Sequence, residues 1–344
     1  MAKIGLTLKT LNCLVPQEKA WSLCIGAGCS LPIFPKWDTL AIKLANNVTK
    51  LSEEEKTKLK ENFSPDIIIQ SAFEKSGKKP EEFSLLLSEE LYDNFFKGLS
   101  PKNRKSLARC LTEQTPIVSL NWRYLLDRVH KAGFSTADEL AKVIVESYFG
   151  KRGLMSILSF NAELLLPSLI NAHASIDQDY HLKMLDYVTE PISSRYLDRI
   201  QYVFCHGVVQ VPYSSSAAKK RFNAYDKLVF SENEYLRLAN SSFAWQSNSF
   251  FNILTTNTVF FIGLSFTDPN LRRWLSWIHT CKKEALCKIG ANADSTSHYW
   301  IEKRPDNLTL QKWYESSVAH LGIRIIWVND WTEVPQVLRV AVHL

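Results

Sequence analysis

The sequence has no C-x-x-C pair, no run of about 18 apolar residues, no internal repeat and no low-complexity tract. Each absence removes a class of protein. The seven cysteines (Cys13, Cys24, Cys29, Cys110, Cys205, Cys281 and Cys287) are odd in number and lack the spacing from which structural zinc sites are built, so no metal site is expected. Buried free thiols suit a reducing compartment. The opening residues, MAKIGLTLKTLNCLV, lack the apolar core of a signal peptide. A cytoplasmic protein with no membrane partner is therefore expected. Charge of one sign is scarce as well. Lys and Arg number 41 against 35 Asp and Glu, a net +6, and the densest basic run is only Lys219-Lys220-Arg221. That excess suits a small anionic ligand and is too diffuse for direct, sequence-specific nucleic-acid binding.

What remains is an ordinary globular composition. Of 344 residues, 46% are apolar and 22% charged, enough for one large domain or for a domain with an inserted lobe. Aromatic residues make up 12%, with ten Trp, and can supply large contact areas in a core or an interface.

Short apolar runs recur at Trp21–Ile25, Pro116–Leu120, Ile200–Cys205, Thr258–Gly263, His298–Ile301 and Ile323–Val328. Most are continuous rather than alternating, as in strands covered on both faces. Helix-like stretches lie between them, so the predicted fold is α/β, a Rossmann-like doubly wound parallel sheet. Residues 20–50, 116–130 and 196–330 form its expected core. The intervals 52–115 and 135–195 are too long for loops. They read as helical insertions making a side lobe, with Leu154–Leu165 as one of the helices.

Four segments carry candidate chemistry. In the first, the apolar run Trp21–Ile25 enters Gly26-Ala27-Gly28-Cys29-Ser30. Glycines there let backbone approach a phosphate, and N–H groups at a helix start favour an anion. The last glycine of a full G-x-G-x-x-G is replaced by Leu31, and a tight turn without a ligand is the other reading. In the second, Asn121 follows the run Pro116–Leu120. Its amide suits a ribose hydroxyl or an ordered water at a strand's carboxyl end, or a helix N-cap. In the third, His206 ends the run Ile200–Cys205 before Gly207, where an imidazole can take a proton from water at neutral pH. In the fourth, Gly263-Leu264-Ser265-Phe266-Thr267-Asp268-Pro269-Asn270-Leu271 reads as a glycine turn and a helix start, with Asp268 as its cap or as a ligand contact.

Together and in this order, the four resemble the sirtuins, over about residues 20–330. Gly26-Ala27-Gly28-Cys29-Ser30 with the following Pro and aromatic residues is similar to the family's nucleotide loop. Ser119-Leu120-Asn121-Trp122-Arg123 is similar to its T-x-N-x-D, with Ser for Thr and Arg123 for the acid. His206-Gly207 is similar to its His-Gly. The fourth segment resembles the G-x-S-x-x-D-P-N-L of its zinc-free prokaryotic branch. The resemblance implies that NAD⁺ is cleaved at the nicotinamide–ribose bond to nicotinamide and ADP-ribose, without a metal. Asn121 and His206 would be catalytic, and Gly26, Ala27, Gly28, Ser30, Phe34, Trp37, Gly263, Ser265 and Asp268 would hold the dinucleotide. It also implies an effector of bacterial antiphage defence that depletes NAD⁺, assembles with its own copies and is triggered by a partner such as an ATPase, an Argonaute-like protein or a sensor. A non-catalytic nucleotide-binding subunit and an NAD-dependent protein deacylase are the alternatives. A dehydrogenase is weaker, because residues 45–50 lack the acid that would hold the ribose.

Overall fold

Continuous apolar strands need cover on both sides, and the chain supplies it. A computed structural model describes residues 4–112, 119–178, 180, 183–191, 196, 198–215, 218, 228–241, 244–290 and 298–344. Its strands are β1 (Leu6–Thr7), β2 (Trp21–Ile25), β3 (Leu154–Ser159), β4 (Leu185–Val188), β5 (Ile200–Phe204), β6 (Thr258–Ile262), β7 (His298–Lys303) and β8 (Ile323–Val328). They form one sheet, ordered β1-β8-β7-β6-β2-β3-β5-β4, in which every pair is parallel. The fold is thus the expected Rossmann-like α/β sheet.

Period-two alternation divides the core between the two faces. Trp21, Leu23 and Ile25 join Ile157, Phe204, Phe260 and Ile262 on one face. Cys24, Leu158, Val203, Val259 and Phe261 lie on the other. The first face is covered by α1 (Trp37–Val48), α2 (Glu53–Asn62), α3 (Pro65–Ser76), α4 (Pro80–Phe96), α5 (Pro101–Thr112), α6 (Ser119–His130), α7 (Thr136–Phe149) and α8 (Leu165–Asp177). Of these, α2 buries none of its residues; its amino end is instead fixed by a capping box between Ser52 and Glu55. The second face is covered by α9 (Glu232–Asn240), α10 (Trp245–Thr256), α11 (Pro269–Lys288) and α12 (Leu308–Ala319). The terminal α13 (Val334–Val342) returns to the first face and packs on α7. No described helix is long and apolar enough to cross a membrane.

Two expectations need correction. Residues 135–195 are not a helical insertion. They contribute β3 to the middle of the sheet and β4 to its edge. The stretch Leu154–Leu165, read as helix, is a strand to Ser159 and starts a helix only at Leu165. Leu154, Ile157, Leu158 and Leu165 fall at helical spacings, which hid the strand. The expected strand Pro116–Leu120 lies outside the described residues up to 118, and Ser119 and Leu120 already belong to α6.

The connectivity places the site. The chain starts near one edge, enters the centre at β2, steps outward through β3, and fills that side with β4 and β5. It then returns to the far side of β2 as β6. Loops leaving β2, β3, β5 and β6 therefore diverge around β2 at the carboxyl edge, the position where open α/β sheets form a crevice.

Candidate active site

The loop after β2 is fastened to the loop after β6. Gly26 N donates to Ile262 O and Gly28 N to Gly263 O, both at 3.0 Å, and Cys29 Sγ to Ile262 O at 3.3 Å. Gly263 turns with φ +69°, a conformation that favours glycine. A Cβ on Gly263 would meet Cys29 N at 2.5 Å, one on Gly26 would meet Gly263 O at 2.6 Å, and one on Gly28 would meet Gly263 Cα at 2.9 Å. The three glycines are required first by each other. From this seam the chain enters a short 3₁₀ turn, Ala27–Ser30. Ala27, Ser30, Phe34 and Trp37 then line a pocket together with Leu91 of α4 and Asn161 and Glu163 beyond β3. Phe34 is held from behind by Tyr92 and Phe95.

At the pocket's inner wall, Ser30, Asn161 and Glu163 form a buried polar cluster. Asn161 Nδ2 donates to Ser30 Oγ and to Glu163 Oε1, each at 3.1 Å, and Ser30 Oγ donates to Glu163 Oε1. Glu163 Oε2 accepts Leu165 N at 2.5 Å, at the start of α8. Burial pushes the Glu163 carboxyl up, opposed by the bonds from Ser30, Leu165 and Asn161. Asn161 Oδ1 is left buried without a hydrogen-bond partner, a costly state unless something else supplies one.

His206 stands on the next stretch of the same edge. It follows β5 and is 4% exposed. The rings of Phe160, Tyr235 and Trp37 surround it at 4.9, 5.4 and 6.4 Å between centroids. Its Nε2 lies 3.4 Å from the Tyr235 hydroxyl of α9 and 3.7 Å from Asp268 Oδ2. Its Nδ1 is buried and has no hydrogen-bond partner. Burial holds the imidazole below its ordinary pKa. The Asp268 charge opposes that shift, as does the Phe160 backbone, which lies close without completing a hydrogen bond. Asp268 also caps α11, its Oδ1 accepting Asn270 N at 2.8 Å and Leu271 N at 3.2 Å. The nearby thiols are poor nucleophile candidates. Burial pushes Cys29 up to about 12, and raises Cys24 and Cys205 as well.

Most of the residues expected to form a site meet here. Ala27, Ser30, Phe34 and Trp37 share the pocket; Gly26, Gly28 and Gly263 form the seam above it; His206 and Asp268 face each other. Ser265 lies outside, exposed and bonded to Thr267 at 2.7 Å. Asn121 does not reach the crevice. It sits within α6, where its Oδ1 accepts from Ser106 of α5 at 2.9 Å and its carbonyl from Cys110. Its amide is used in fastening two helices. The Asn at the crevice is Asn161, in Ser159-Phe160-Asn161-Ala162-Glu163. This segment has the polar-x-Asn-x-acid spacing sought at Ser119–Arg123, and it keeps the acid that Arg123 lacks. The signal was present in the sequence directly after an apolar run.

Comparison with known proteins points the same way. Residues 176–326 match the family model of the SIR2-like domain. Two curated relatives are similar to parts of the chain. The NAD(+) hydrolase ThsA of Enterococcus faecium is 27% identical over 121 residues, 32% of this chain and 25% of that protein. The NAD(+) hydrolase ThsA of Bacillus cereus (strain MSX-D12) is 22% identical over 178 residues, 48% of this chain and 33% of that protein. The similarity thus spans between a quarter and a third of each relative's length. The matched segment carries His206, Tyr235, Gly263 and Asp268, and the parallel sheet brings Asn161 and the glycine loop to the same edge, so over residues 176–326 this chain is similar to the SIR2-like domain.

Proposed function

We propose that the chain hydrolyses NAD⁺ at the nicotinamide–ribose bond, giving nicotinamide and ADP-ribose, with Asn161 in the role expected of Asn121. The observation that carries this reading is the pair of buried, unpartnered polar atoms in one crevice, Asn161 Oδ1 and His206 Nδ1. Both border Trp37, one through the pocket lining and the other through ring contact. Two relatives named as NAD(+) hydrolases lend support.

The chemistry asks little acid of the protein. Nicotinamide leaves a cationic nitrogen and becomes neutral on departure, so no proton has to be supplied to it. The transition state is oxocarbenium-like, and the protein has to hold the ribose, exclude stray geometries and direct one water to C1′. Burial keeps His206 neutral and able to accept a proton at neutral pH. The Asn161 amide, anchored by Ser30 and Glu163, leaves its oxygen for a ribose hydroxyl or that water. The pocket from Ala27 to Trp37 then takes the dinucleotide.

The same reading makes the chain an effector of antiphage defence, assembled with its own copies and switched on by a second protein or a signal nucleotide rather than by NAD⁺ itself. Light scattering combined with a nicotinamide-release assay on the isolated chain addresses that part, and a constitutively active monomer would sink it. For the site, the test is chromatographic measurement of nicotinamide from NAD⁺. Asn161→Ala and His206→Ala should each lower turnover by at least about a hundredfold, while Asn121→Ala stays within a fewfold of the parent. Full activity in the Asn161 or His206 variant would remove the assignment.

A further inference from the structure

We propose that Tyr235 and Asp268 are positioning residues that fix His206 as the Nε2–H tautomer, which makes Nδ1 the atom that accepts the proton. This rests on the hydrolase reading for its kinetic consequence, but the hydrogen-bond argument stands apart from it.

The argument follows from what each group can give. An ionised carboxylate only accepts hydrogen bonds. Asp268 spends Oδ1 on the amides of Asn270 and Leu271 at the amino end of α11, which leaves Oδ2 for the crevice. The Tyr235 hydroxyl lies 3.5 Å from that Oδ2 and 3.4 Å from His206 Nε2. A hydroxyl has one hydrogen to donate. If it goes to the carboxylate, the phenolic oxygen meets Nε2 as an acceptor, and Nε2 must carry the proton. Asp268 Oδ2, 3.7 Å from Nε2, favours the same arrangement electrostatically. The neutral ring then has its lone pair on Nδ1, the nitrogen without a partner. Of the other neighbours, Phe160 and Trp37 present rings, the Phe160 backbone favours the protonated imidazole while Nδ1 makes no hydrogen bond, and Glu163 is engaged by Ser30, Asn161 and Leu165. Cys205, next to His206 in the chain, has its thiol pushed up by burial and so stays uncharged.

The pairing also ties the imidazole to an element end. Asp268 begins α11 on one side of β6, while His206 ends β5 on the other side of β2 and β3. One carboxylate therefore links loops from two separated strands across the crevice. Tyr235 comes from the first turns of α9, directly after Glu234, whose carboxylate accepts from Ser231 N at the start of that helix.

The experiment is ¹⁵N–¹H correlation spectroscopy of histidine-labelled full-length protein, across pH, for the parent, Asp268→Asn and Tyr235→Phe. Asn caps helices as well as Asp does, so Asp268→Asn keeps the cap and removes the charge. In the parent, His206 should show a protonated Nε2 and a pyridine-like Nδ1 at neutral pH. Asp268→Asn should lower the His206 titration midpoint by about one unit, the lower end of the effect of a nearby opposite charge. Tyr235→Phe should mix the tautomers. Nicotinamide release should fall about tenfold or more in kcat in either variant, a part of the roughly hundredfold or more that goes with the base itself, with KM little changed. A parent ring protonated on Nδ1, or an unmoved titration midpoint in Asp268→Asn, overturns the proposal. Spectra as expected with unaltered kcat overturn the positioning role and leave the hydrolase reading standing. Absence of turnover in the parent would count against the hydrolase reading, and the spectra would still decide the tautomer.

Discussion

Glu302, at the carboxyl end of β7, shows how a single side chain can set a slope of stability against pH. Burial lifts its carboxyl from an ordinary 4.5 to about 7, against the pull of the Lys303 amide and of Lys36. The unfolded chain releases that proton near 4.5, whereas the folded chain keeps it to about 7. The folded state therefore binds the extra proton, and this contribution is complete below the lower value and lost as pH rises through the higher one. Glu302→Gln should flatten the decline, by a difference of about 3 kcal/mol across the window. Urea denaturation at a series of pH values measures it, and parallel curves for parent and variant would refute it. His298 acts in the opposite sense. Burial depresses it to about 3, so its contribution is present above 6.5 and lost as pH falls. The comparison must therefore be between variant and parent. At this scale the sequence was uneven. His206 stood out because a strand-end His-Gly has few bland readings. Asn121 and Asn161 both follow apolar runs, and only the folded chain shows that the run before Asn161 is a strand in the middle of the sheet. Tyr235 carried no local signal of its role, because its partners His206 and Asp268 lie 29 and 33 residues away.

Elements were easier to read where periodicity had one meaning. β2, β5, β6, β7 and β8 announce themselves as apolar runs, and α7 (Thr136–Phe149) lies in an interval read as helical. β3 was lost because a short buried strand and a leucine-bearing helix look alike in isolation. β4 was lost because a four-residue edge strand has too few positions to show a period. The glycine loop was legible as a turn, but not the reason for its glycines. A sequence reading makes Gly28 a point of approach for a pyrophosphate, so that Gly28→Val would abolish binding in an intact fold. The packing instead places the Gly263 backbone within 3.0 Å of any Cβ at Gly28. Gly28→Val should therefore lower stability by about 1–3 kcal/mol, the usual cost of overpacking, as well as weaken binding. Thermal denaturation gives the answer, and an unchanged midpoint would show that the two loops can part freely.

On the scale of the whole molecule, the class of fold followed from strand composition, while the extent of the sheet did not. The sheet takes its central neighbour β3 from a region that sequence alone assigned to a side lobe, so residues 135–195 are part of what holds the molecule together. The helices of 53–112 stay on one face, and α4 reaches the pocket through Leu91 and the rings behind Phe34. The seam of Gly26, Gly28 and Gly263 has a consequence for motion. Swinging either loop would break the Gly28–Gly263 and Cys29–Ile262 bonds together and pull on the middle of the sheet. If the crevice closes over a ligand, the travel must come from the opposite wall, where Trp37 and Tyr235 stand half-buried on helices. Amide hydrogen exchange should divide along that line. The amides of Gly28 and Cys29 should exchange only as slowly as the central strands open, and those of α9 many times faster. Equal rates on the two sides would mean that the jaw moves as a whole; unequal rates would make the glycine side the anvil and the aromatic side the hammer.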